Sequence, residues 1–172
     1  MLLYRLEMEN FYSVRDLQVI DLTIAPNVPD DDGRYAEIFP GSGLRAPKVV
    51  SVYGANASGK TTILKALVFL VWFARDSSQR TEAGFPCDRF NDLESYSRPM
   101  KFAIEVGGVM DLSQETAQRM AVGDEVEYGI YRYEFTIEVI EGAAHHVRSE
   151  ALRKKPRGQG KWQRVFERNG GK

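Results

Sequence analysis

The 172-residue sequence has little of several features that would classify a protein quickly. The single cysteine, Cys87, excludes an internal disulfide framework, and a small buried side chain explains it more simply than a reactive thiol. The longest uninterrupted apolar run, residues 66–74, is far too short to span a bilayer. Charges interrupt the apolar start of the chain, so we expect no signal peptide. These absences predict a cytoplasmic protein without a membrane partner.

Neither sign of charge is in excess, because 23 Lys and Arg residues face 24 Asp and Glu residues. This balance gives no global argument for nucleic-acid binding, although a local basic patch stays open. The length allows one domain with a substantial core.

Hydrophobic periodicity predicts a mixed α/β chain. A continuous apolar stretch at residues 48–53 is typical of a strand buried on both faces of a parallel sheet. Residues 59–75 repeat at helical spacing and are apolar almost all round, which predicts a helix buried between layers. Asp111 is expected to cap a short helix over 111–120, with Gln114 in the capping-box position. Apolar and polar residues alternate in six stretches, which predict a hairpin and then an antiparallel meander: 2–11, 17–24, 101–106, 129–141, 145–153 and 161–168.

The stretch GANASGKTT contains the pattern G-x-x-x-x-G-K-[ST] at Gly54, Gly59, Lys60 and Thr61. Glycines let successive backbone N–H groups turn inward, and the resulting nest at a helix N-terminus suits a polyphosphate. Lys60 supplies a flexible positive charge for the β- and γ-phosphates, the Thr61 hydroxyl suits Mg²⁺, and the Thr62 hydroxyl can meet the α-phosphate. We therefore predict phosphate binding rather than a turn that only joins a strand to a helix.

The same loop, GANASGKT, resembles the G-x-N-G-x-G-K-[ST] loops of ATPases related to SMC, RecF and OLD (overcoming lysogenization defect) proteins. It is most similar to the N-terminal lobe of bacterial AAA-labelled, OLD-like ATP-binding proteins, many of which serve in phage defence. The stretch ENFYSVRDL is similar to the N-F-x-S-(x)-R segment of these proteins. The resemblance implies the fold class, an α/β P-loop lobe of the ABC/SMC-like type with an attached antiparallel β-layer.

The resemblance also implies residue roles. Asn56 would reach the γ-phosphate or the attacking water, and with Lys60 would form the catalytic pair. Ala57 stands where the related loops have a second glycine, so the backbone there must accept a Cβ. Arg15, in the segment that would line adenine and ribose, would stack on the base or pair with phosphate, unless it is a solvated turn residue. The nucleotide contacts implied by the whole loop are Gly54, Ala55, Asn56, Ala57, Ser58, Gly59, Lys60, Thr61 and Thr62.

The implied organisation is a hairpin with the strand–loop–helix unit at 1–76, an irregular linker at 77–99, and the β-rich remainder of the same lobe at 100–172. Related ATPases also need an acidic Walker B strand and an LSGGQ-type signature. The stretch DLSQE lacks the signature glycines and is more simply a helix start. We therefore expect the N-terminal half of a longer MgATP-dependent ATPase. Its heads would form a homodimer or higher oligomer around ATP, and it would act on DNA or an effector protein.

Two alternatives stay open. The first is another P-loop enzyme, although no guanine-reading Asn-Lys-x-Asp stretch and no arginine-rich lid is present. The second is a binding module that uses nucleotide without hydrolysis. The adjacent His145 and His146 would point to opposite faces of a strand and are no metal pair. A basic stretch with interspersed Trp162 and Phe166 could meet a phosphate backbone, or form a solvated face: Arg148, Arg153, Lys154, Lys155, Arg157, Lys161, Arg164 and Arg168.

Overall fold

The computed structural model describes residues 1–77, 85–111, 113–121, 125–140 and 144–170. Its strands are β1 (Leu2–Glu9), β2 (Gln18–Asp21), β3 (Tyr35–Glu37), β4 (Arg45–Pro47), β5 (Met100–Val109), β6 (Tyr128–Ile140), β7 (Ala144–Pro156) and β8 (Gln163–Asn169). Its α-helices are α1 (Lys60–Asp76) and α2 (Gln114–Ala121).

Six strands form one antiparallel sheet in the order β2-β1-β5-β6-β7-β8. Leu6 of β1 lies between Ile20 of β2 and Ile104 of β5 in the register, so apolar residues line up on one face. The predicted hairpin and meander are confirmed, because alternation in the sequence specifies which face of each strand is buried.

Helix α1 packs on the apolar face of this sheet. Phe69 and Phe73 are buried, and the Phe73 ring stacks on Phe135 of β6 with centroids 3.9 Å apart. The prediction that this helix is buried between two layers is wrong for the described chain, since Leu64, Val68 and Val71 are exposed. Within the described ranges a single sheet layer packs on α1, and the other apolar side of the helix faces outward.

The predicted buried strand at residues 48–53 is also wrong. Strand β4 ends at Pro47, and residues 48–54 adopt no strand. Val49 is 81% exposed and Tyr53 is 88% exposed. A strand of this kind needs hydrogen-bonding neighbours on both edges, and the described residues place none beside it.

The proline- and glycine-rich region 26–47 contains a hairpin that its sequence does not predict. Its strands β3 and β4 pair, and Ile38, Phe39 and Ala46 pack with Tyr4 and Ile130 in a second, smaller core. This hairpin covers one end of the sheet face opposite α1, since Ile130 alternates with the α1-facing side chains of β6.

Helix α2 starts three residues after the predicted cap. The Ser113 hydroxyl accepts a hydrogen bond from the Thr116 N–H at 3.2 Å, so Ser113 is the N-cap residue. Asp111 supports the cap from outside, by accepting hydrogen bonds from the Ser113 N–H and the Thr116 hydroxyl. Gln114 is the first helical residue and makes no capping box. Neither α1 nor α2, the α-helices of the described residues, is long and apolar enough to cross a membrane.

Candidate functional site

The phosphate-loop candidate lies at the N-terminus of α1. Gly59 precedes the helix with φ 87°, in the left-handed region that glycine occupies at little cost. The side chain of Lys60 folds back over the loop, and its Nζ donates to the carbonyl oxygens of Gly54 at 2.8 Å and Ala55 at 2.6 Å. These bonds hold the ammonium group above the loop.

Several backbone N–H groups of this loop donate to no acceptor among the described residues. The one internal amide bond of the loop runs from Ser58 N–H to the Ala55 carbonyl, and the next runs from Thr62 to Gly59. A helix N-terminus with unpaired N–H groups carries partial positive charge and suits an anion. Such unpaired amides belong to Gly54, Ala55, Asn56, Ala57, Gly59, Lys60 and Thr61.

Ala57 has φ 63°, so the loop uses the left-handed region at a residue with a Cβ. Placing alanine there costs roughly 1–2 kcal/mol relative to glycine. Ala57 therefore has its Cβ in a backbone conformation that favours glycine.

The two threonines after Lys60 have different environments. The Thr61 side chain is exposed and makes no hydrogen bond with the described residues, so its hydroxyl is open to a ligand. The Thr62 side chain is buried, and its Oγ1 lies 2.6 Å from Oγ of Ser13. Asn56 is exposed at the rim of the loop. The predicted ligand roles of these side chains remain predictions.

Ser13 belongs to the turn between β1 and β2, which the structure places against the loop. Beside it, the Lys65 ammonium of α1 lies 3.9 Å from the centroid of the Tyr12 ring. Arg15 does not face the loop with a free guanidinium. It pairs with Asp92 at 3.1 Å and with Glu94, so a phosphate would have to displace these carboxylates.

Asn10 anchors this turn, and sequence analysis did not single it out. Its fully buried side-chain amide donates to the carbonyl oxygens of Ser95 at 3.0 Å and Arg98 at 2.8 Å. Its Oδ1 accepts from the Phe90 N–H at 3.0 Å. With φ 54°, Asn10 is in a conformation that asparagine tolerates better than most residues. This preference of asparagine is the sequence feature that could have indicated the turn.

A cavity of about 380 Å³ opens between this turn and the loop. We call it the hairpin slot. Val14, Gln18, Val19 and Ile20 form its wall on the hairpin side, and Ser58 and Gly59 form its wall on the loop side. Every side chain that lines the slot is apolar or uncharged. A smaller cleft of about 360 Å³ flanks the loop on the other side, along Thr61 and the exposed face of α1.

Other candidates lie away from the loop or are occupied. Asp21, the last residue of β2, pairs with Arg5 at 2.9 Å. Cys87 is buried, and burial raises the pKa of its thiol to about 12, which fits the interpretation as an inert side chain. No group of three metal-ligating side chains occurs among the described residues. His146 is exposed, and the side chain of His145 lies outside the described residues.

The basic stretch separates into paired and unpaired cations. Arg148 pairs with Glu138, Arg168 with Glu150, and Arg153 with two glutamates. Lys155 lies 4.8 Å from the centroid of the Trp162 ring, and that ring packs partly buried against the smaller core. Lys154 is near Asp111, whose pKa is lowered first by hydrogen bonds from Ser113 and Thr116 and also by this charge. The cations without a carboxylate partner among the described residues are Lys155, Arg157, Lys161 and Arg164.

A glycine-rich loop with free amides, an overlying lysine and a following helix together define the P-loop class of nucleotide-binding proteins. The chain belongs to the AAA domain family, because the family model described as an AAA domain matches residues 5–170. This membership indicates nucleotide binding and ATPase activity in general terms. No curated protein and no solved structure matches the chain.

Proposed function

We propose that this chain binds MgATP and is the N-terminal half of an ATPase of the ABC/SMC/OLD-like type. The set of unpaired amides at the start of α1, with the Lys60 ammonium above them, carries the proposal. These N–H donors, a helix terminus and one ammonium group match the charge and the oxygen acceptors of a triphosphate.

The side chains of the loop suit the remaining roles. Lys60 would neutralise the β- and γ-phosphates, and Asn56 would orient the attacking water. Thr61 would hold Mg²⁺, since a hydroxyl oxygen is a suitable hard ligand and this one has no hydrogen-bond partner among the described residues. When bound, Mg²⁺ supplies charge neutralisation to the phosphates.

Other elements would complete the ATPase. Val49 and Tyr53 before the loop are exposed, and so are the apolar residues Leu64, Val68 and Val71 of α1. Exposed apolar groups of this kind often mark an interaction surface. Strands from a C-terminal half would cover this surface and bring the catalytic acid. Two such heads would then close around ATP, and hydrolysis would drive work on DNA or an effector, in phage defence or DNA repair.

Calorimetric titration with MgATP tests the proposal. Lys60→Ala should abolish binding or weaken it strongly, because a charge on two phosphates is lost. Lys48→Ala is the matched control, since this exposed lysine only donates to the Gly33 carbonyl and should bind like the unmodified chain. Thr61→Ala should remove mainly the Mg²⁺-dependent part of the affinity. Unchanged binding in Lys60→Ala would refute the assignment of the loop.

This chain should bind MgATP without hydrolysing it at a measurable rate. ATP turnover should stay near background, because no described carboxylate is placed to polarise water at the loop. Steady turnover that survives purification and disappears in Lys60→Ala would place the catalytic acid within these residues. A competition panel of nucleotides would identify a different P-loop enzyme by its preference for another nucleotide.

The second candidate function is a nucleic-acid-binding module. The unpaired cations near the turn between β7 and β8, with Lys161 and Arg164 exposed, favour it. Binding to a DNA duplex should be weak and should fall steeply as salt rises, since each neutralised phosphate releases counterions. Lys161→Glu with Arg164→Glu should weaken it, while Arg34→Glu with Arg75→Glu should change it less. No binding at low salt, or equal binding at low and high salt, would remove this candidate.

A further inference from the structure

The hairpin slot is placed to receive the base of a nucleotide bound at the loop. Two cavities flank the loop, and Thr61 lines the one on the α1 side. If Thr61 holds the metal at the β- and γ-phosphates, the sugar and base leave the loop on the opposite side, where the hairpin slot begins at Ser58 and Gly59. This step rests on the proposed function.

The chemistry of the slot suits a flat, uncharged ring. Val14, Val19, Ile20 and Ile63 offer apolar surface, and no charged side chain lines the cavity. Its volume of about 380 Å³ is at the lower end of small-ligand pockets, which typically run from about 300 to 1,000 Å³. A heterocyclic base would exchange water for these side chains and gain from their burial.

Gln18 is the one side chain of the slot that carries an amide. It lies at the start of β2, opposite Met8 in the β1–β2 register. Its side chain is exposed and makes no hydrogen bond with the described residues. The Ser13 hydroxyl, by contrast, is already engaged with Thr62. Gln18 therefore has both a free donor and a free acceptor at the slot.

We propose that Gln18 reads the base and makes this site selective for adenine. An amide bonds an adenine in a bidentate manner, by donating to N7 and accepting from the N6 amino group. Guanine presents two acceptors, O6 and N7, on the same edge, so the amide oxygen would face an acceptor without a proton between them. Gln18 is thus a specificity residue, separate from the residues that hold the phosphates.

A comparison of ATP with 7-deaza-ATP tests this contact at one atom, because the analogue replaces the N7 acceptor with C–H. We expect the unmodified chain to bind Mg-ATP about 5- to 10-fold more tightly than the analogue, the lower part of the range for a bidentate pair. Gln18→Met keeps the length of the side chain without its amide, and should bind the two nucleotides equally. Gln163→Met, an exposed glutamine on the far edge strand, should keep the original preference.

Gln18→Arg extends the test to a gain of preference. The arginine fork suits the O6 and N7 acceptors of guanine, so the ratio of ATP to GTP affinity should move toward GTP. If ATP binds but Gln18→Met retains the preference for ATP over 7-deaza-ATP, the inference is overturned and the proposed function stands. If the unmodified chain binds no nucleotide, the proposed function itself fails. Thermal melting of each variant confirms that it is folded.

Discussion

Glu7 should stabilise the fold through its charge, and its replacement tests how much. Both oxygens of this carboxylate accept from Arg132 of β6, at 2.8 and 3.0 Å, and Oε1 also accepts from Arg5 at 2.8 Å. The side chain is only 16% exposed. The hydrogen bonds from Arg132, with those from Arg5 and both positive charges, outweigh the cost of burial and lower the pKa of Glu7 from 4.5 to about 2.

The depressed pKa fixes the sign and the size of the effect. Stability from this carboxylate is fully present above its unfolded pKa of 4.5 and is lost as the pH falls toward 2. The difference of 4.5 − 2 = 2.5 units corresponds to about 3 kcal/mol, at roughly 1.4 kcal/mol per unit. Glu7→Gln should therefore lower the free energy of unfolding at pH 7 by about 2–3 kcal/mol, since the amide can still accept one bond.

Urea unfolding at pH 7 and pH 3 measures this effect. The gap between the unmodified chain and Glu7→Gln should shrink by about 2 kcal/mol at pH 3, because much of the linked stability has been lost there. Glu115→Gln, on the exposed first turn of α2, is the control and should change stability by less than about 0.5 kcal/mol. A gap of equal size at both pH values would mean that the cost comes from packing, and the charge argument would be wrong.

Three further outcomes follow from the loop, the turn and the thiol. Ala57→Gly should be more stable than Ala55→Gly by about 1–2 kcal/mol in urea unfolding, since only Ala57 has a positive φ, and equal stabilities would contradict the strain. Asn10→Ala should cost about 2–4 kcal/mol, because the Arg98 carbonyl and the Phe90 N–H lose their partner and the Ser95 carbonyl keeps only its bond from the Arg98 N–H, while Asn91→Ala, at an exposed position, should be near neutral. Cys87 should react with a thiol reagent only as the chain unfolds, and rapid labelling of the folded chain would show that it is accessible.

Local patterns in the sequence were sufficient for most of the sheet and for the loop. The alternation of apolar and polar residues in β1 and β6 predicts which side chains are buried, because neighbouring side chains of a strand point to opposite faces. The spacing of Gly54, Gly59 and Lys60 predicts a glycine-rich loop before a helix, and the structure has such a loop at the start of α1. These features depend on residues that are close in sequence, so they can be predicted without knowing what lies beside them.

Contacts between distant residues decided the rest. Residues 48–53 have the composition of a buried strand but remain exposed, since a strand forms only where another supplies hydrogen bonds. The bonds of Asn10 to residues 90, 95 and 98 span more than 75 residues of chain, and the hairpin slot joins Gln18 to a loop 40 residues away. A local pattern of apolar residues does not show which distant residues will be neighbours, because those contacts form only when the whole chain packs.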